Sequence, residues 1–349
     1  MNENVNIVFV LQGLNDSATN RQIYFAFALM SYLVTILVNL TLILTVCLDK
    51  ALHQPMYIFM CNLCFTGLCG ASSFYLKLLL DLLADAHLIT YTGCLMQMFF
   101  TYIYIFCQFT SLTVMAYDRY LAICQPLRYW ALMTGQKVAL LLLLTWCLSL
   151  LETTVGILLI SRLSFCSHRM ARIFCTNWEV VKLSCSDTTA NNLYGMMIII
   201  LHTLQIIIIL VSYMHLVRSA ARSQTNRRKF AHTCSPHLAS LLVFSFSVLF
   251  DSFYSRYGSS SMAALQNALS AEFLVVPPIV NPIIYGMNLH QIRTRIRLWS
   301  PRGEGGCHPA FTFFCLRQRK KEAGLNHEGS WAQKPGASTG EKYFIAQGI

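Results

Sequence analysis

A few ionisable side chains stand inside otherwise apolar stretches of this sequence: Asp118-Arg119, Glu152, His202, Asp251 and Glu272. Charges in such surroundings are costly and default to a functional reading. Asp118 and Arg119, adjacent and opposite in sign, can partly neutralise each other and form a switchable latch. The plainer reading is a pair reaching out from the end of a span. Glu152, Asp251, Glu272 and His202 suit a ligand with polar or cationic groups, or else hydrogen bonds between helices. Pro277, Pro278 and Pro282 interrupt a further apolar stretch. It carries Asn281 and Tyr285 one helical turn apart on one face, a hinge with polar gripping points.

No catalytic set accompanies these residues. HExxH and phosphate-loop patterns are missing from the sequence, and no nucleophile is placed beside a base. Cys61-Asn62-Leu63-Cys64 has CxxC spacing but neither a second pair nor a histidine at metal spacing, so it reads as packing. The expectation is a protein that is not an enzyme and has neither metal nor cofactor.

The elements that must position these groups follow from composition. Hydrophobic residues make up 55% of the 349 and charged residues 12%, about half the ~25% of soluble domains. Mean hydropathy is +0.51, which makes this a membrane protein. Stretches without Asp, Glu, Lys or Arg run 23–48, 56–76, 88–117, 138–151, 188–217, 231–250 and 273–292. The third is expected to continue past Asp118 to Cys124, the fourth to resume after Glu152, and the last to begin near Leu265 if Glu272 is tolerated. Each is long enough, alone or so extended, for the roughly 20-residue crossing of a bilayer. The expected fold is an all-α membrane protein, a seven-transmembrane helix bundle.

Residues 1–22 are polar with no apolar core or cleavage site, so the first span is expected to act as its own insertion signal. With the N-terminus outside, the cytoplasmic side collects Lys50, Arg119, Arg128, Lys137, the Arg218/Arg222/Arg227/Arg228/Lys229 group and the basic tail. Arg21, Lys77, Arg162, Arg169, Arg172, Lys182 and Arg256 remain outside, a positive-inside asymmetry. The net charge of +11 thus reads as topology and attraction to anionic lipid, with no nucleic-acid partner. Asn15-Asp16-Ser17 is a glycosylation acceptor in the outer N-terminus. Of the 14 cysteines, Cys94, Cys166, Cys175 and Cys185 fall on the outer side and are read as two bridges, their connectivity left open.

The string MAYDRYLAIC at 115–124 resembles the signature of vertebrate odorant receptors within the rhodopsin-like G-protein-coupled receptors. Pro55-Met56-Tyr57, Ser212-Tyr213, KFAHTCSPHL at 229–238 and PPIVNPIIY at 277–285 match further motifs in the right order, over roughly 10–298. The resemblance implies that Asp118-Arg119-Tyr120 is an ionic latch released on activation. Tyr213 and Tyr285 would then swing inward, Asn281-Pro282 would bend the last span, Asn39 would anchor the first and His237 would lie near the cytoplasmic face. It also implies that Cys94 pairs with Cys175 and Cys166 with Cys185. The implied ligand pocket lies between spans three, five, six and seven, with Thr101, Tyr102, Ile105, Phe106, Met197, His202, Asp251 and Glu272 facing it.

Thr101 replaces the acid of amine receptors, and no lysine near Val275 serves retinal. Gly67 stands where most of the family has a span-two aspartate, and Phe244-Ser245-Phe246 where mammalian members have Phe-Tyr-Gly. These departures, with the acids, lean the ligand toward water-soluble odorants and the chain toward receptors of aquatic vertebrates. The implied function is odorant binding, activation of a stimulatory olfactory-type G protein and a rise in cyclic AMP at the plasma membrane. A non-olfactory chemosensory receptor of the same family is the alternative. A transporter would show inverted repeats, which are not seen. The expected divisions are an outer N-terminus 1–22, a receptor domain 23–287, a short cytoplasmic amphipathic helix 288–298 and a disordered tail 299–349. Cys307 and Cys315 in that tail are candidate palmitoylation sites.

Overall fold

The computed structural model describes residues 7–13, 18–220, 224–258 and 263–288. Apolar runs become helices because a backbone in lipid must satisfy its own hydrogen bonds. Among the described residues, seven helices are long and apolar enough to cross a membrane. They are α1 (Ala18–Leu48), α2 (Pro55–Leu83), α3 (Tyr91–Cys124), α5 (Gly135–Ser161), α7 (Thr189–Ala220), α8 (Gln224–Tyr257) and α9 (Ala263–Asn288). The short helices α4 (Tyr129–Leu132) and α6 (Asn177–Val181) lie in the connections after α3 and α5. Thr90 starts α3 by accepting from Gly93 N at 3.1 Å, and Thr134 starts α5 by accepting from Lys137 N at 3.3 Å. Residues 289–349, which hold most of the expected amphipathic helix and the whole tail, lie outside the described residues.

One span boundary differs from the sequence expectation. Helix α2 runs on to Leu83 because the charges that seemed to end it, Lys77 and Asp81, bond to each other one turn apart. Helix α9 carries Glu272 in its interior and begins at Ala263, close to the start near Leu265 expected if that acid is tolerated.

Helix α3 is central: 67% of its apolar window is buried, against 22% for α1 and α5. Its aromatic rings Tyr104, Phe106 and Phe109 pack with Phe74, Phe174, Phe244 and Phe273 from the elements around it. Gly70 of α2 permits this approach, since a Cβ there would collide with the Tyr104 ring.

The prolines of α9 are accommodated by specific donors. A proline has no N–H to offer the carbonyl one turn earlier. Pro277 therefore frees the Phe273 carbonyl, which accepts from Tyr104 Oη at 2.9 Å. Pro282 frees the Pro278 carbonyl, which accepts from Asn39 Nδ2 at 2.7 Å. Helices α3 and α1 thus supply two hydrogen bonds that α9 cannot make for itself.

One end of the bundle, the outer end by the sequence expectation, carries a small sheet that the sequence reading did not foresee. Strands β1 (Val8–Leu11), β2 (Leu88–Thr90) and β3 (Arg169–Met170) lie in the order β2-β1-β3. β1 pairs antiparallel with β2 and parallel with β3, with Phe9 opposite Ile89 and Val10 opposite Arg169. Phe9 is fully buried among the rings of Tyr91, Phe165 and His168. The Cys94–Cys175 bridge ties the loop between α5 and α7 to the head of α3, and Cys166–Cys185 closes that loop on itself, each with Cα atoms 5.6 Å apart.

Candidate functional site

Beneath that loop lies a cavity of about 100 Å³. Helix α3 supplies Thr101, Tyr102, Ile105, Phe106 and Phe109, residues a helical turn or less apart along one face. Helix α5 adds Glu152, Thr153, Gly156 and Ile157, so span four contributes as well. From α7 come Tyr194, Ile198 and His202, and from α8 Val248, Leu249, Asp251, Ser255 and Arg256. Helix α9 offers only Phe273, while Phe174 to Trp178 of the loop close the roof.

Of the residues expected to face a ligand, Thr101, Tyr102, Ile105, Phe106, His202 and Asp251 are brought together here. Two are not. Met197 is 52% exposed on the outside of α7; it sits one residue from the cavity-lining Ile198, and that step turns it roughly 100° away. Glu272 faces α8 instead, accepting from Ser247 Oγ.

Asp251 reaches the cavity already partnered. Arg172, from the loop, is only 2% exposed. It donates to Asp251 Oδ1 at 2.5 Å, to Ser255 Oγ at 2.7 Å and to Ser270 Oγ at 2.9 Å, and its Nε lies 3.8 Å from Glu179. Ser270 in turn donates to Asp251 at 2.5 Å. The acid that looked available for a cationic ligand is thus neutralised by a residue that in sequence reads as an ordinary loop cation. Nothing in a single sequence marks Arg172 for burial, because its hydrogen-bond partners stand some 80 residues or more away.

His202 is stacked between the rings of Phe106 and Phe109, with centroids 5.0 and 4.9 Å distant. Gln205 donates to Thr113 Oγ1 at 2.6 Å, which leaves its carbonyl oxygen to accept from His202 Nδ1 at 2.9 Å. The other ring nitrogen faces Glu152 at 3.5 Å. Arg256 lies over the Trp178 ring at 4.4 Å and has no ion pair among the described residues. Gly195 makes room for it, since a Cβ there would strike the guanidinium.

The opposite end of the bundle holds the second set. Asp118 and Arg119 are both buried, with Arg119 Nε 3.8 Å from Asp118 Oδ2. Tyr129 of α4 donates to Asp118 at 2.7 Å. Burial, then the Asp118 charge, push the Tyr129 phenol above its usual range, so it stays protonated and able to donate. Sequence reasoning missed Tyr129, although its place after an α3-ending Gln125-Pro126 turn is a local signal. Asn281 is buried and accepts from Ser240 Oγ at 2.5 Å, which joins α9 to α8. Tyr213 is buried in α7 and Tyr120 half-buried in α3. Asn15 and the side chains of His237 and Tyr285 lie outside what is described. Among the described residues no three His, Cys, Asp or Glu side chains gather as for a metal.

A family model described as olfactory receptor matches residues 27–299. The chain is 35% identical over 295 residues to olfactory receptor-like protein OLF4 of Canis lupus familiaris, covering 83% of this chain and 95% of that one. It is 37% identical over 286 residues to olfactory receptor 7C1 of Homo sapiens, covering 80% and 88%. Olfactory receptor 1500 of Rattus norvegicus is 37% identical over 305 residues, covering 85% and 96%. Among solved structures, squid rhodopsin superposes with a TM-score of 0.67 at 14% identity, covering 89% of this chain and 93% of that one. At that identity the likeness speaks for the fold alone.

Proposed function

The chain belongs to the olfactory receptor family and is a multi-pass membrane protein with the seven-helix receptor fold, and from that premise we propose that it binds a small odorant in the cavity beneath the loop. Its N-terminus faces outward at the plasma membrane. Binding shifts a pre-existing equilibrium toward a state that opens the Asp118–Arg119 end to a stimulatory G protein and raises cyclic AMP, since a ligand acts only through its differential affinity for two states.

The carrying observation is the cavity's charge balance. Asp251 is held by Arg172, Glu152 faces His202, and Glu272 is outside the cavity. Asp251 and Glu272, two of the acids that leaned the ligand toward cationic, water-soluble compounds, are therefore engaged elsewhere, and that lean loses most of its support. What remains for a ligand is an apolar wall of Ile105, Phe106, Ile198 and Val248, with Arg256 offering hydrogen bonds. This fits an apolar small molecule bearing a hydrogen-bond acceptor better than it fits an amine.

The test is cyclic AMP in cells expressing the full chain, challenged with one pool of acceptor-bearing volatiles and one of amines and amino acids. A response to the volatiles that vanishes in Arg119→Ala and weakens about tenfold or more in Arg256→Met is expected. Tenfold corresponds to losing one charge-assisted hydrogen bond. A response to amines alone, insensitive to Arg256→Met, overturns the charge-balance reading.

A further inference from the structure

Helices α5 and α7 touch toward the outer end, where Tyr194 Oη donates to the Glu152 carbonyl at 2.5 Å. Toward the other end they part, and a groove of about 870 Å³ opens between them with α3 as its floor. It begins at Thr113, where Gln205 ties α7 to α3, and runs to Cys124, the last residue of α3. That is roughly 16 Å of helix, the depth of one leaflet's hydrocarbon.

Its walls are Val114, Leu141, Ile208 and Ile209, and Ile208 is 61% exposed to the surrounding bilayer. An apolar groove at this depth cannot be left empty, because unfilled space forfeits the dispersion contacts of everything lining it. Of its polar lining, Thr113 and Ser212 already donate to carbonyls of their own helices, and water gains little along the apolar walls between. Hydrocarbon must fill it.

The end of the groove selects which hydrocarbon. Lys137, in the first turn of α5, and His215, near the end of α7, both line it, and its lining includes neither Asp nor Glu. Lys137 has no ion pair among the described residues. On the orientation proposed above, this end meets the cytoplasmic leaflet, which is rich in anionic lipid.

We propose that the groove between α3, α5 and α7 is a binding site for one anionic phospholipid of the inner leaflet, its acyl chain against Val114 and Ile208 and its headgroup on Lys137 and His215. Tyr120 lines the same groove beside Arg119, so an occupied site abuts the switch directly. The inference depends on the membrane spans and not on the odorant, and it stands whether or not the outer cavity takes the ligand class named above.

The experiment places the full-length protein in nanodiscs doped with a photoactivatable phosphatidylserine or, separately, the matching phosphatidylcholine, and maps adducts by mass spectrometry. Phosphatidylserine is expected to label the peptides carrying 113–124, 137–141 and 208–215 in excess over phosphatidylcholine. Lys137→Gln should lower that labelling about fivefold, the worth of one basic group at an anionic surface. Arg218→Gln, a cation in the last turn of α7 that does not line the groove, should leave it unchanged. His215→Gln serves as a second variant should Lys137→Gln fail to melt like the parent. Equal labelling by the two lipids, an Arg218→Gln effect as large as that of Lys137→Gln, or preferential capture of a sterol probe overturns the proposal. Because each probe enters both faces of such discs, the result does not depend on which way the chain crosses the membrane.

Discussion

Arg172 at the outer end and Arg119 at the other are both buried arginines beside an aspartate, yet they are held differently. Arg172 makes a 2.5 Å contact with Asp251 and two further hydrogen bonds to hydroxyls on α8 and α9. Arg119 stands 3.8 Å from Asp118, beyond hydrogen-bonding reach, and Asp118 directs its short bond to Tyr129 instead. The outer end is tied further by two disulfides and a strand sheet. The difference teaches where this molecule can move cheaply. A buried arginine whose carboxylate is bonded elsewhere can be freed at small cost, as the proposed latch at Arg119 requires, whereas one bonded on three sides is a staple.

The largest expected effect comes from removing the staple. Arg172→Met leaves Asp251 buried without its counter-charge and is expected to cost about 3–5 kcal/mol, read as a lowered melting temperature of the purified receptor. Adding Asp251→Asn to it should restore most of the loss. If the single variant melts like the parent, the two arginines are equivalent and the contrast fails.

At the latch, Tyr129→Phe withdraws the one short bond to Asp118, a charge-assisted contact of about 1.5–3 kcal/mol. Raised basal nucleotide exchange is expected, by several-fold, with a modest change in melting. Unchanged basal exchange would mean that Tyr129 holds Asp118 equally in both states of the switch.

A control for whether buried hydrogen bonds matter anywhere in the bundle is Asn39→Val. It orphans the Pro278 carbonyl, which Pro282 cannot serve, and should cost about 1–3 kcal/mol without altering basal exchange. A rise in exchange comparable to that of Tyr129→Phe would extend the switch from α3 to the α1–α9 contact.

The smallest effect lies on the outer surface. Asp187 accepts from Thr189 N at 2.9 Å and Thr189 Oγ1 at 2.6 Å, and these bonds hold its carboxyl below the usual range. A depressed folded-state value contributes stability above the ordinary carboxylate pKa and loses it as pH falls through the depressed one. Carboxyl resonances followed on acid titration should show Asp187 turning over at a lower pH than a free aspartate, and Thr189→Val should move it back up. Asp187 is fully exposed, so melting near neutral pH should not move.

Much of this was legible beforehand, for local reasons. Each apolar run is set by its own composition, and the hinge prolines and the Asp118-Arg119-Tyr120 string are contiguous. Span α2 was misjudged at its end because a charge counted alone looks like a boundary, whereas Lys77 with Asp81 is a satisfied pair within a helix. Strand β1 gave no sign, since four residues alternate only against partners that come from two distant loops.

By itself the sequence determined that the chain carries seven membrane-crossing helices and which family it resembles, because hydropathy and short motifs are properties of neighbouring residues. Only the tertiary structure decided which charges are free. Asp251 and Glu272 look alike along the chain, yet one meets Arg172 and the other meets Ser247 out of the cavity's reach. That outcome follows from how a disulfide-bound loop and the two helices converge, since the energy of a buried charge is set by the partners around it in space.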